Sequence, residues 1–286
     1  MPSLVSGSLS EQLNETVGAM LISAIIGSVL QGVTTCQTIA YFLGSKTDSR
    51  VIRSLVLFVW VVNVLHAILV VDSVYTYSVT HHGNPSALAT LTWSSMAIII
   101  GNVVGDLGVK GIFSYRVWKI SRQWYMGVLI MLTAVVTFTF AVFVVSEMAL
   151  SPTSPPEPVG TYGSLAALAG SDIVMSIVLA LVLYQHRSVF PSVNRVLRGV
   201  VWYSAETSIV TSLGAIVGLV IYAALPNKPV LFMAVLWVLP YLISSSVLVA
   251  LNSRKELREK TSVVSSVEMS DRLRHLSYNT AVTYVD

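Results

Sequence analysis

Charge is what this sequence has least of. Only 11% of its 286 residues are charged while 54% are hydrophobic, against about 25% charged in an ordinary soluble domain. A soluble globular chain is excluded, and an integral multi-pass membrane protein is the reading that remains. Cysteine is nearly absent too. Cys36 stands alone, which excludes an intrachain disulfide and a cysteine metal cluster. It lies inside the first apolar run and reads as a small packing residue. Residues 1–17 contain no Lys or Arg, so the basic n-region of a cleaved signal peptide is missing and the segment reads as a short tail. The last apolar run holds no lysine, which excludes a retinal Schiff base there. No Asp-Arg-Tyr closes the third run and no Asn-Pro-x-x-Tyr closes the seventh. Neither a His-x-x-x-His pair nor a nucleophile elbow occurs. An enzyme is therefore not expected, and no cofactor or metal is implied. The net charge of +3 is spread over short segments between apolar runs, so nucleic acid is not an expected partner.

What the chain does have is seven apolar runs, 18–43, 52–77, 91–118, 124–149, 162–184, 200–225 and 230–251. Each is long enough to cross a hydrocarbon layer of about 30 Å as a helix. The expected fold is all-α, a bundle of seven transmembrane helices over 18–251. Its orientation follows from the basic residues. Lys46, Arg50 and Arg53 lie in the first connection, Arg116, Lys119 and Arg122 in the third, and Arg187, Arg195 and Arg198 in the fifth. Six more follow the seventh run, so fifteen of the 17 Lys and Arg share one side. Lys228 is on the other side and Lys110 is intramembrane. By the positive-inside rule the N-terminus is outside and the C-terminus cytoplasmic. Between plasma membrane and secretory-pathway membranes the sequence does not choose.

The third run contains the costliest residues. Asp106 falls near the midplane and Lys110 is four residues on, one turn along the same face. An ionised group at that depth costs at least about 2.5 kcal/mol, so it turns inward and finds partners. Asp172 in the fifth run and Glu206 in the sixth are candidates across the bundle. Asn63 and His66 share a face of the second run, with Ser73 further along, and Asn102 lies one turn before Asp106. Asn63, His66, Asn102, Asp106, Lys110, Asp172 and Glu206 are therefore assigned to one connected polar cavity. A set of separate structural contacts is the alternative, with His66 a neutral hydrogen-bonded residue and Asp106–Lys110 an orienting ion pair. Asp72 and Glu147 lie nearer the outside, within reach of headgroup water.

Other features have ordinary explanations. Gly101, Gly105 and Gly108 form a small-residue stripe, as do Ser204, Ser208, Thr211, Ala215 and Gly218. Trp93, Trp118 and Trp124, with Tyr41, Tyr75, Tyr77, Tyr162, Tyr184 and Tyr222, read as interfacial belts. Pro240 in Leu239-Pro240-Tyr241 is a kink candidate. His81-His82 begin a turn-rich outer loop with too few neighbouring ligands to suggest a metal site. Asn14-Glu15-Thr16 is a glycosylation acceptor pattern if the tail is lumenal or extracellular. Residues 252–286 are basic, then serine-rich, and read as a disordered cytoplasmic tail. In it Arg254, Lys255, Arg258 and Lys260 face the inner leaflet, each gaining about 1 kcal/mol from anionic lipid.

Several ordered pieces carry a resemblance. They are Gln31-Gly32-Val33-Thr34-Thr35-Cys36-Gln37 with Tyr41-Phe42, Trp60-x-x-Asn63-x-x-His66, Gly83-Asn84-Pro85 before Trp93, and Phe113-x-x-Arg116-x-Trp118-Lys119-x-Ser121. Asp172, Thr207, Thr211-Ser212 and Leu251-Asn252-Ser253-Arg254-x-x-Leu257-Arg258 continue the order. Over about 18–258 the chain resembles a family of fungal, mainly basidiomycete, seven-helix membrane proteins known only as a domain of unknown function. The resemblance implies a fungal, receptor-like bundle and supplies no substrate. It departs from the family at Asn63, where an acid is usual, and at Glu206-Thr207-Ser208, where Asn-Thr-Gly is usual. A receptor or sensor that binds a small molecule and signals to a cytoplasmic partner is the expected function. A small-molecule or proton-linked transporter is the rival, and a membrane-embedded enzyme is the weakest reading.

Overall fold

The computed structural model describes residues 2–44, 48–81, 92–150, 158–185, 209–221, 223–224 and 234–252, with side chains from residue 17 onward except at 120, 158 and 183. Among them there is helix and no strand. Five long helices come first: α1 (Pro2–Gly44), α2 (Arg50–Tyr75), α3 (Trp93–Ser121), α4 (Trp124–Leu150) and α5 (Pro158–Gln185). α6 (Ile209–Ile221) and α7 (Ala234–Asn252) follow. Six of these, all but the shorter α6, contain a stretch long and apolar enough to cross a membrane. The chain is a multi-pass, membrane-type helical protein. α1 starts well before its apolar stretch, so the polar segment read as a tail is helical from Pro2.

Local chemistry sets the helix ends. Ser49 caps α2 by accepting from the Ile52 N–H, and Thr92 caps α3 by accepting from the Ser95 N–H, each satisfying one of the donors a first turn leaves open. α3 stops at Arg122, in the left-handed region at φ 56°, whose N–H returns to the Trp118 carbonyl. α2 widens into a π-helical turn at Thr76–Thr80. In α7, Pro240 has no N–H to give to the preceding turn, and the helix opens into a turn at Trp237–Val238.

α3 is the central element and packs against α2, α4 and α5, while α1 packs on α2. The Trp60 indole donates to Thr35 Oγ1 at 3.1 Å, joining α2 to α1. On its other flank α1 meets α7, where Gln37 donates to Ser245 Oγ and Asn252 donates to the Gln37 carbonyl. Ser114 Oγ donates to the Gly127 carbonyl between α3 and α4. Glycine permits two of these approaches. A Cβ on Gly108 would lie 2.8 Å from Val59 Cγ2, and one on Gly27 would lie 2.9 Å from the Tyr241 ring. The outward faces are apolar: Val128, Leu132, Val135 and Phe143 of α4 are all exposed, as are Leu21, Ile25 and Val29 of α1. Such surfaces belong against lipid.

The interior falls into two clusters. One joins the end of α1, the start of α2 and α4, and the ends of α3, α5 and α7, through Tyr41, Val56, Ile112, Phe113, Ile130, Met175 and Leu248. The other joins the opposite ends, through Met20, Val70, Tyr77, Ile98, Val144, Leu165 and Trp237. Three sequence readings change here. Cys36 is exposed on α1 rather than packed, because Thr34, Thr38 and Tyr41 form the inward face. Tyr41 and Tyr77 are buried rather than interfacial. Tyr41 donates to Asp48 Oδ2 at 3.0 Å, and Tyr77 accepts from the Thr92 N–H at 3.2 Å, so each ties a helix end to a neighbouring segment. Tyr75, Tyr162 and Tyr184 are exposed near helix ends, with Trp93, Trp118 and Trp124.

Candidate functional site

Lys110 has no exposed surface at all. An ammonium so placed costs several kcal/mol unless its donors are met by acceptors, and three are supplied. Asp106 Oδ2 lies 2.5 Å away, one turn back on α3. Asp172 Oδ1 on α5 is at 3.4 Å. Ser171 Oγ accepts from Nζ at 2.5 Å and passes its own proton to the Leu168 carbonyl at 2.7 Å. Thr211 of α6 donates to Asp172 Oδ2. The network therefore links α3, α5 and α6 at the boundary between the two apolar clusters.

Beside it lies a cavity of about 150 Å³. Asn63 and His66 of α2, Asn102 and Asp106 of α3, and Thr161 of α5 border it. Its other walls come from Thr137 to Met148 of α4 and from Leu236 to Ser244 of α7, including Trp237 and Pro240. Lys110 and Asp172 are not on the wall, so the cavity meets the network through Asp106. Most of the described wall runs from the middle of α2 and α4 toward their ends and over the starts of α3, α5 and α7, with Val109 reaching past the middle of α3. That is the half of the bundle away from the connections carrying Arg53, Arg116 and Arg122.

Several polar atoms on this wall lack a partner. Asn63 Nδ2, both ring nitrogens of His66, Asn102 Oδ1 and Thr161 Oγ1 are buried and make no hydrogen bond. His66 and Asn63 are almost wholly buried. Buried polar groups are satisfied in the great majority of cases, so these atoms are open to a hydrogen-bonding partner in the cavity. The His66 ring stacks on Tyr241 of α7, centroids 5.2 Å apart and planes 15° apart, which holds the imidazole in place.

Of the residues proposed from sequence, the structure thus brings together Asn63, His66, Asn102 and Asp106 on the wall and Lys110 and Asp172 behind it. Glu206 lies outside the described residues, as do Arg254, Lys255, Arg258 and Lys260, and so does the side chain of Asn14. Ser73 is not on the wall itself: it donates to Ser94 at 3.1 Å, in a hydroxyl cluster with Thr92 and Ser95 at the start of α3 that touches the cavity through Ser95. One oxygen each of Asp72 and Glu147 is buried without a partner, so neither carboxyl is fully in headgroup water. Sequence reasoning missed Ser171, Thr161, Trp237 and Tyr241. Ser171 had a usable signal, since it adjoins Asp172 in an apolar helix. The others are ordinary bundle residues until the helices are oriented. Among the described residues no three of His, Cys, Asp and Glu gather as a metal would require.

Fold and site define a class, a membrane-type helical bundle with an internal cavity beside a buried charge network. A domain of the family of unknown function DUF6534 is found at residues 168–256. That span contains Ser171, Asp172, Thr211 and the α7 wall, whereas His66, Asp106 and Lys110 precede it. No curated protein and no solved structure matches the chain.

Proposed function

We propose that the chain is a receptor-like sensor of the fungal seven-helix kind, with its N-terminus outside, that binds a small molecule in the cavity. The observation that carries this reading is the cavity's position, with unpartnered polar atoms on its wall and the basic connections at the opposite end. α3 joins the two ends. It offers Asn102 and Asp106 to the cavity, Lys110 to the network, and Lys119 and Arg122 to the cytoplasmic side. A ligand that draws on Asp106 alters the balance among Asp106, Lys110 and Asp172 and so shifts α3 against α5 and α6. A cytoplasmic signalling partner reads that shift. The inner segments and the basic tail supply the surface, and neither nucleic acid nor chemical turnover has a part in it.

The second reading is a proton-linked carrier, favoured by the buried Asp106–Lys110–Asp172 group at the edge of the cavity. One experiment separates them. Purified protein is screened for small molecules that raise its thermal stability, and hits are tested in two ways. A fluorophore on Gln123→Cys, in a Cys36→Ser background, reports movement at the inner end of α3, and liposomes report uptake. The receptor reading expects a fluorescence change without uptake. Uptake establishes the carrier, and hits that do neither remove the receptor reading.

A further inference from the structure

We infer that the cavity takes a small uncharged molecule, apolar over most of its surface, that ends in a hydroxyl group. This rests on the reading of the cavity as a ligand site. Size is the first ground. An apolar cavity of about 150 Å³ holds a guest of benzene's size, and this one has that volume. Ile98, Val144, Leu165, Trp237 and Ile243 provide apolar wall.

Charge is the second. Asp106 is the charged residue among the described wall residues, and Lys110 already matches it at 2.5 Å. The remaining contacts of that ammonium go to Ser171 and Asp172, away from the cavity. An ion entering here surrenders its hydration and finds the wall's counter-charge engaged, which costs several kcal/mol. A neutral guest escapes that cost.

Hydrogen-bonding character is the third. Asn63 Nδ2 is a donor, Asn102 Oδ1 an acceptor, and the His66 imidazole carries two ring nitrogens, all unpartnered. A hydroxyl donates once and accepts twice, so one group meets both kinds of demand. An ether or ketone leaves Asn102 unmet, and a hydrocarbon leaves every one of them unmet, at about 1–3 kcal/mol for each stranded group.

The test uses the full chain in lipid nanodiscs and four probes of one shape: 2-phenylethanol, ethylbenzene, 2-phenylethylammonium and phenylacetate. Partition into lipid is removed by Gly101→Leu, which fills the cavity from a wall position where a Cβ meets nothing within 4 Å. The expected result is saturable binding of 2-phenylethanol that Gly101→Leu abolishes, with the other three probes at least about tenfold weaker. His66→Phe keeps the stack on Tyr241 and removes the nitrogens, and Asn102→Leu removes the acceptor. Each weakens the alcohol about tenfold or more and does not weaken ethylbenzene, which no longer strands the group removed. Equal binding of ethylbenzene and alcohol, or tighter binding of either ion at a Gly101→Leu-sensitive site, overturns the hydroxyl and leaves a ligand site standing. If no probe distinguishes the wild type from Gly101→Leu, the inference and the ligand-site reading fail together. Should Gly101→Leu not fold, empty nanodiscs of the same lipid measure the partition, and the probe series on unmodified protein then decides the matter.

Discussion

The two halves of the bundle are built from the same helices and differ in what fills them. Toward the basic connections, Ile112, Phe113, Val117 and Ile130 are packed to zero or near-zero exposure in one continuous cluster. Toward the other end, α3 presents Gly101 and Asn102 where its inner half presents Ile112 and Phe113, and a cavity results. Polar groups are treated differently at the boundary and on the cavity wall. Lys110 donates to Asp106 and Ser171 and pairs with Asp172, whereas His66 and Asn63, about as deeply buried, have unmet atoms. One half is closely packed. The other keeps an opening with unmet polar atoms on its wall.

Substitutions can break this contrast. The largest effect is expected at the boundary. Lys110→Met strands two carboxylates and should cost about 3–5 kcal/mol, read as lost folding yield and a lower Tm in detergent. Adding Asp106→Asn should restore part of that loss. A double variant no better than Lys110→Met alone would show that the charges are not coupled. Phe113→Ala in the packed half should cost about 3–5 kcal/mol by leaving a void among close neighbours. Val144→Ala on the cavity wall should cost about 1 kcal/mol, since part of its surface already meets open space. Val117→Ala makes the same deletion in the packed half, where Val117 has no exposed surface, and should cost about 2 kcal/mol; equal losses at Val117 and Val144 would erase the difference between the halves.

The glycines of α3 sharpen the contrast with one methyl group. Gly108→Ala drives a Cβ to 2.8 Å from Val59 and 3.0 Å from Phe58, and overpacking of this kind costs about 1–3 kcal/mol. Gly101→Ala meets nothing and should stabilise α3 by about 0.5–1 kcal/mol through backbone entropy alone. Thermal unfolding of both variants checks the opposite signs. A comparably small effect is expected at Trp60→Phe, which removes the bond to Thr35 between α2 and α1 and should cost about 1 kcal/mol.

Much of this was legible in the residues. Length and apolarity mark seven runs because a membrane demands both, and six of them hold helices long enough to span, the sixth run showing only Ile209–Ile221 among the described residues; Lys110 with Asp106 was legible because four residues make one helical turn. Asp172 followed from the cost of burying a lysine. What stayed hidden is rotation about each helix axis. α1 and α4 are apolar nearly all round, and in lipid that pattern does not tell which face turns inward. Hence Cys36 was placed inside when it faces out, and Tyr41 and Tyr77 were placed at the interface when they anchor chain ends. Gly101 and Gly108 look alike in sequence. Only the position of α2 against α3 makes one a contact and the other an opening.

The central claim, that one half of the bundle is completed by a guest, is tested most directly by ligand-linked stability. Unfolding of the wild type and of Gly101→Leu is followed in nanodiscs with and without 2-phenylethanol. At a free concentration one hundred times the dissociation constant, the account predicts a gain of about 2.7 kcal/mol for the wild type and none for Gly101→Leu. An equal shift in both, or no shift in either, would contradict it.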